Sequence, residues 1–210
     1  MNSYGKICTG FSAPYVALYN NAGGNVTYTG GMRLARGVSV SISPEVGDDN
    51  NFYADNIVAE TEDGVFTGGT VKLTVDGLHS AAEEFIYGLP KAEEITVGEK
   101  KVNIRKYGDK MNIPYVGIGV VVEYKSGGVT TYTPVILTKG RFKMNGNEAQ
   151  TREESTSWQT QDLEATLARD DTPDHNWKWV ADDQATEAEA IAILEHLFGV
   201  EKVAQPAQES

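Results

Sequence analysis

The chain has 210 residues, 40% hydrophobic and 23% charged, with a formal net charge of −12 and one cysteine, Cys8. Such a chain can bury a core as one domain of ordinary size, with room for an appendage, and is not globally disordered. Its composition excludes an intrachain disulfide and a cysteine-rich zinc site, and no apolar run reaches the ~20 residues that a membrane helix needs.

The first residues, Met1 to Lys6, lack the apolar centre of a signal peptide, so a protein made and kept in a cytoplasm is expected. Residues 13–20 read as a strand, Asn21 to Asn25 as a turn, and Val26 to Tyr28 as a second strand. Gly30-Gly31 marks a bulge or break. Residues 32–43 alternate through Leu34, Val38, Val40 and Ile42, and Pro44 is expected to end that run.

The segment from Pro44 to Gly64 carries seven acids (Glu45, Asp48, Asp49, Asp55, Glu60, Glu62 and Asp63) and no Lys, Arg or His. It is long for a loop inside a compact domain, and such segments are usually functional or disordered. It also holds Phe52, Tyr53, Ile57 and Val58, so it is not composed like a linker. It reads as an extended hairpin or arm. Its apolar residues either seek a partner surface or pack on their own domain.

Residues 70–76 alternate cleanly, with Val71, Leu73 and Val75 on one face and Lys72, Thr74 and Asp76 on the other. Ser80-Ala81-Ala82-Glu83 fits a capping box that opens a short helix over 80–89, closed by Gly88 and Pro90. Residues 91–112 are polar and mixed, with a basic run from Lys100 to Lys106. Residues 113–124 form a buried strand. A Lys125 to Gly128 turn leads into a strand over 129–138, and a further short strand runs from Lys139 to Met144. Residues 154–168 read as a last long strand, polar on both faces near its start, as would suit a strand lining a water-filled channel. Trp177 and Trp179 flank Lys178 in a short strand or anchor. Thr186 to Glu189 is a second capping box, opening a helix near 187–198 that Gly199 closes. Residues 200–210 read as a frayed tail.

Charge divides the chain at its end. Residues 153–210 hold 14 acids against 3 bases, whereas residues 1–152 hold 16 against 15. This opposes tight nucleic-acid binding, which relies on Lys and Arg at phosphates, but suits a wall along which DNA slides without sticking. No catalytic or metal-ligating constellation emerges. His79, His175 and His196 lack ligand spacing, the Asp48-Asp49 and Asp170 to Asp174 runs do not match a calcium loop, and the glycine pairs form no phosphate-binding loop. No enzyme, metal or cofactor is expected.

The order of motifs resembles the major tail protein family of siphophages infecting Gram-positive bacteria. The similarity covers about residues 1–170. It is carried by Phe52-Tyr53-Ala54-Asp55-Asn56, then Gly68-Gly69-Thr70 to Leu78, Tyr115-Val116-Gly117, the hairpin to Tyr132–Lys139 with Gly140-Arg141-Phe142, and Gln150–Thr156 leading into the last strand. The resemblance implies a mainly β tail-tube fold: a β-sandwich or partial barrel with one or two helices, flanked by an α-helix. It also implies hexameric rings stacked into a tube that gives DNA a conduit into the host, and the same fold resembles the tube protein of type VI secretion systems. The implied partners are further copies of the chain and the tail terminator, tape measure and distal tail proteins. Genomic DNA passes through without specific binding, and the protein belongs to the virion tail, assembled in the host cytoplasm. A β-sandwich binding module and a head–tail connector are the alternatives.

Three expectations follow for sites. Asp48, Asp49, Phe52, Tyr53, Asp55, Asn56 and Ile57 belong to an assembly arm. Lys100, Lys101, Arg105, Lys106, Arg141 and Lys143 offer a basic docking surface. Thr156, Thr160, Asp162 and Glu164 line an acidic lumen. Residues 171–210, an acidic C-terminal extension outside the resemblance, decorate the exterior or lock against a neighbour through Trp177, Trp179 and the last helix.

Overall fold

The computed structural model describes residues 5–144, 146 and 159–201. The fold is mainly β and antiparallel, with two helices. Its main sheet runs β2 (Asn25–Arg33), β1 (Ile7–Ala22), β9 (Val116–Ser126), β10 (Val129–Phe142), β11 (Gln161–Ala168), β6 (Phe66–Val75) and β3 (Gly37–Val46), with β12 (Lys178–Val180) also paired to β10. Two small hairpins stand outside it: β4 (Asn50–Ala54) with β5 (Ile57–Glu62), and β7 (Glu93–Val97) with β8 (Lys100–Ile104).

Chain connectivity fixes the sheet's curvature. β2 and β3 lie at opposite ends of the strand order, yet only Leu34, Ala35 and Arg36 join them. The two ends must therefore meet at that corner, and the sheet curls into a partial barrel. Leu34 is fully buried there, and its amide donates to the Pro14 carbonyl at 2.8 Å.

Inside the curl, one face of each alternating strand builds the main core: Val71, Leu73 and Val75 from β6, Leu163, Ala165 and Leu167 from β11, and Val116 and Ile118 from β9. The first helix, α1 (Ser80–Tyr87), adds Ala82, Ile86 and Tyr87 to this core. A second core lies on the other face of β1, β9 and β10. There α2 (Glu187–Leu197) and the residue after it set Ala190, Leu194 and Phe198 against Ala13, Tyr15, Ala17, Val121 and Ile136. Gly117 and Gly119 make this docking possible. A Cβ on Gly117 would come within 2.5 Å of the Tyr28 ring, and one on Gly119 within 2.8 Å of Phe198. Full burial of a side chain such as Phe198 stabilises by ~1.5–3 kcal/mol.

Several boundaries differ from the sequence reading. Pro44 does not end β3, which continues to Val46. Proline is tolerated there because β3 lies at an end of the strand order, and edge strands accept it. The N-cap of α1 is His79, whose Nδ1 accepts from the Ala82 amide, one residue before the expected serine. The Thr186–Glu189 capping box of α2 forms as expected. Residues 93–104 fold as a hairpin that their polar composition hid. The two strands expected over 129–144 are the single strand β10. Of the last long strand, β11 covers Gln161–Ala168, while 147–158 lie outside the described residues. The charge boundary at 170 is not a structural break: β12 joins the main sheet and α2 completes the second core.

Candidate functional site

The arm is a hairpin. Beyond the β3–β6 ladder the chain leaves strand geometry over residues 47–49 and 63–65, then pairs again as β4–β5. Its two-residue tip is Asp55-Asn56, with φ of 51° and 64°. This is the left-handed pair that a tight hairpin turn needs, and Asp and Asn tolerate it better than other non-glycine residues. Every residue of both strands is exposed.

Cross-strand register sorts the tip. Tyr53 and Val58 oppose each other on one face; Ala54 and Ile57 do so on the other, with Phe52 two residues along. Phe52, Tyr53, Ile57 and Val58 keep between 48% and 67% of their surface in water. The tip is thus apolar on both faces, and among the described residues both faces stay largely open to solvent. The arm's seven acids form no ion pair among the described residues; Asp49 accepts from the Gly64 amide at 2.9 Å, closing the arm's root.

The six expected docking cations fall in two places, and most already have acidic partners. On the β7–β8 hairpin, Lys101 pairs with Glu94 at 2.7 Å. Just past it, Arg105 pairs with Glu84 and Lys106 with Glu93. Lys100 is exposed. On β10, Arg141 lies 5.7 Å from the centre of the Tyr115 ring, and Lys143, just beyond the strand, pairs with Glu164. Beside the hairpin is a groove of about 290 Å³, with Ile104, Tyr107 and Pro90 among its walls and Lys91, Lys106 and Lys110 against Glu93 and Asp109.

Among the described residues, no helix covers the outer face of β3, β6 and β11. Its register gives three polar rows: Thr166, Thr70 and Ser43; Glu164, Lys72 and Ser41; Asp162, Thr74 and Ser39. A shallow groove of about 460 Å³ runs across the last two. Asp162 is exposed and accepts from the Thr74 hydroxyl at 2.6 Å. The Lys143 ammonium beside Glu164 holds that carboxyl below its ordinary range. Thr160 is exposed just before β11, and Thr156 lies outside the described residues. Pairing register sets basic residues beside the acids: Lys72 opposes Glu164, and Lys143 pairs with it. The described part of this face is rich in hydroxyls.

The described part of the C-terminal segment packs on its own body. Trp177 stacks on Phe66, with ring centres 4.8 Å apart and planes at 6°. Trp179 meets Tyr28 edge-on at 5.8 Å. Lys6 reaches Asp183 at 2.8 Å, and its ammonium, with the Thr133 hydroxyl, holds that carboxyl below its ordinary range. Lys139 does the same for Asp171 at 2.7 Å, with the Tyr19 hydroxyl assisting. Burial pushes the Tyr15 hydroxyl up to about 12, helped by its bond to Glu195 of α2.

Sequence reasoning missed β7–β8 and the Asp55-Asn56 turn. The turn had a usable signal, two adjacent residues tolerant of left-handed backbone between β-prone runs. Among the described residues, no three His, Cys, Asp or Glu side chains gather as metal ligands. Among the same residues, no helix is long and apolar enough to cross a membrane. No family model matches the chain, and no curated protein matches its sequence.

Proposed function

We propose that this chain is a structural virion protein that polymerises into the tail tube of a long-tailed bacteriophage, as stacked hexameric rings around a conduit for DNA. The observation that carries the reading is the β4–β5 hairpin, apolar on both faces of its tip, acidic, and exposed along both strands. A projecting element that fits a different surface of the next copy makes a heterologous contact, and such contacts generate rings or filaments rather than closed dimers.

Two further features support it. Among the described residues the outer edge of β3 has no partner strand, although long open edges are normally blunted or paired. The bare hydroxyl-rich face of β3, β6 and β11 suits a lumen: it offers DNA neither a dense positive lattice to bind nor an apolar surface. In this reading the arm of one copy docks near Lys91, Lys106 and Lys110 of another, acidic hairpin against basic groove. Tail terminator, tape measure and distal tail proteins are the partners at the ends and interior of the tube.

Negative-stain electron microscopy of the concentrated protein tests this. Rings or tubes are expected from the full chain, alone or with an initiating tail complex, and none from a variant lacking residues 48–60. Normal tubes from that deletion remove the arm from the mechanism. A full chain that stays monomeric with every initiator, yet binds a host glycan or receptor, replaces the reading with a binding module.

A further inference from the structure

Resting on that reading, we infer that Trp177 is a positioning residue: the C-terminal segment sets the direction of the arm through the Trp177–Phe66 ring stack. The arm's root is where its direction is set. Both of its chains leave strand geometry for three residues, 47–49 and 63–65. Two glycines face each other there so closely that a Cβ on Gly64 would lie 1.8 Å from the Gly47 carbonyl oxygen. Glycine also leaves the backbone its widest freedom. Two hydrogen bonds cross the root, Gly47 amide to Val65 carbonyl and Gly64 amide to Asp49 carboxylate, both at 2.9 Å. The register of β3 on β6 also shifts between Glu45 and Val46, directly below.

Phe66 is the first residue of β6 after this break. Its ring lies flat on Trp177, and both rings pack against the main core. Trp177 is itself held from both sides of its backbone. Its carbonyl accepts from the Thr138 amide at 3.1 Å, and the Asn176 carbonyl before it accepts from the Asp170 amide at 2.7 Å and the buried Thr138 hydroxyl at 2.8 Å. The stack therefore links the break in the ladder at the arm's root to the interior strand β10. Stacked aromatic pairs add a geometric preference beyond the area they bury, which suits a clamp that fixes an angle. This gives the C-terminal segment a role beyond covering sheet.

The test reads arm direction in the monomer, apart from assembly. Spin labels are placed at exposed Cys8 and at Glu60→Cys on β5, and the distance distribution between them is measured by pulsed electron resonance. A single narrow distribution is expected for the otherwise native chain. Trp177→Ala should broaden it at least twofold, and Trp177→Phe, which keeps a flat ring, should restore most of the narrowness. If Trp177→Ala does not fold by circular dichroism, Phe66→Leu removes the stack from the other side with Trp177 in place. An unchanged distribution in a folded stack-less variant overturns the inference. So does equal broadening in Trp177→Phe and Trp177→Ala, which would mark a merely structural role. Broadening in a protein that never forms tubes keeps the positioning role and defeats the tube reading alone.

Discussion

Two hairpins leave the body of this protein, and they solve the same physical problem differently. Both are two-stranded, and neither belongs to the main sheet. An isolated pair of strands is marginal in water. The β7–β8 hairpin meets this with charge pairs: Lys101 to Glu94 across its strands, and Lys106 to Glu93 at its base. The β4–β5 hairpin carries only acids, which repel one another, and presents Phe52, Tyr53, Ile57 and Val58 to solvent on two faces. One hairpin finds its partners within the chain. The other has the composition of half an interface.

The largest test of this contrast is deletion. Removing residues 48–60 should abolish assembly while leaving the unfolding midpoint of the monomer nearly unchanged, because the excised residues bury nothing in the core. Calorimetry and sedimentation check both halves. Next, Phe52→Ser with Ile57→Ser should raise the concentration threshold for assembly more than tenfold. Monomer stability should move by about 0.5 kcal/mol or less, as for ordinary surface substitutions. A loss of several kcal/mol in the monomer would show that the tip packs in cis after all.

The C-terminal segment supplies a pH-dependent control. Asp183 and Asp171 are held below the ordinary carboxylate range by Lys6 and Lys139. A depressed folded pKa contributes stability that is present above the unfolded value, near 4, and is lost as pH falls through the folded one. Acid should therefore loosen the segment, seen as a change in tryptophan fluorescence below about pH 4. Asp183→Asn should blunt that change. The effect is modest, since both pairs are partly open to solvent screening.

Much of the fold was legible in the sequence because its signals are local. The alternation of Val71, Leu73 and Val75, the Thr186–Glu189 box and the turn read over Lys125 to Gly128 all act within a few residues. The arm was legible as an arm because its composition conflicts with both linker and core. What failed to show depends on distant partners. Whether Lys106 is free to dock or held by Glu93 is decided by strand register, and so is the charge of the face around Glu164. The role of Trp177 depends on Phe66, 111 positions earlier, and no local pattern joins the two.

The smallest effect concerns the self-paired hairpin. Lys101 and Glu94 are both exposed, and the register makes them diagonal neighbours, since Lys101 opposes Thr96 and Glu94 opposes Asn103. Such a pair gains little Coulomb energy in water and loses side-chain freedom, so a double-mutant cycle with Glu94→Ala and Lys101→Ala should give a coupling of ~0.2–1 kcal/mol. It should shrink further in high salt, because both side chains are open to solvent and its ions. Assembly thresholds for the double variant should match those of the native chain, because the cycle removes equal and opposite charges and leaves the nearby lysine groove intact. A tenfold shift in threshold would instead make the β7–β8 hairpin part of the contact, and the distinction between the self-sufficient hairpin and the incomplete one would fail.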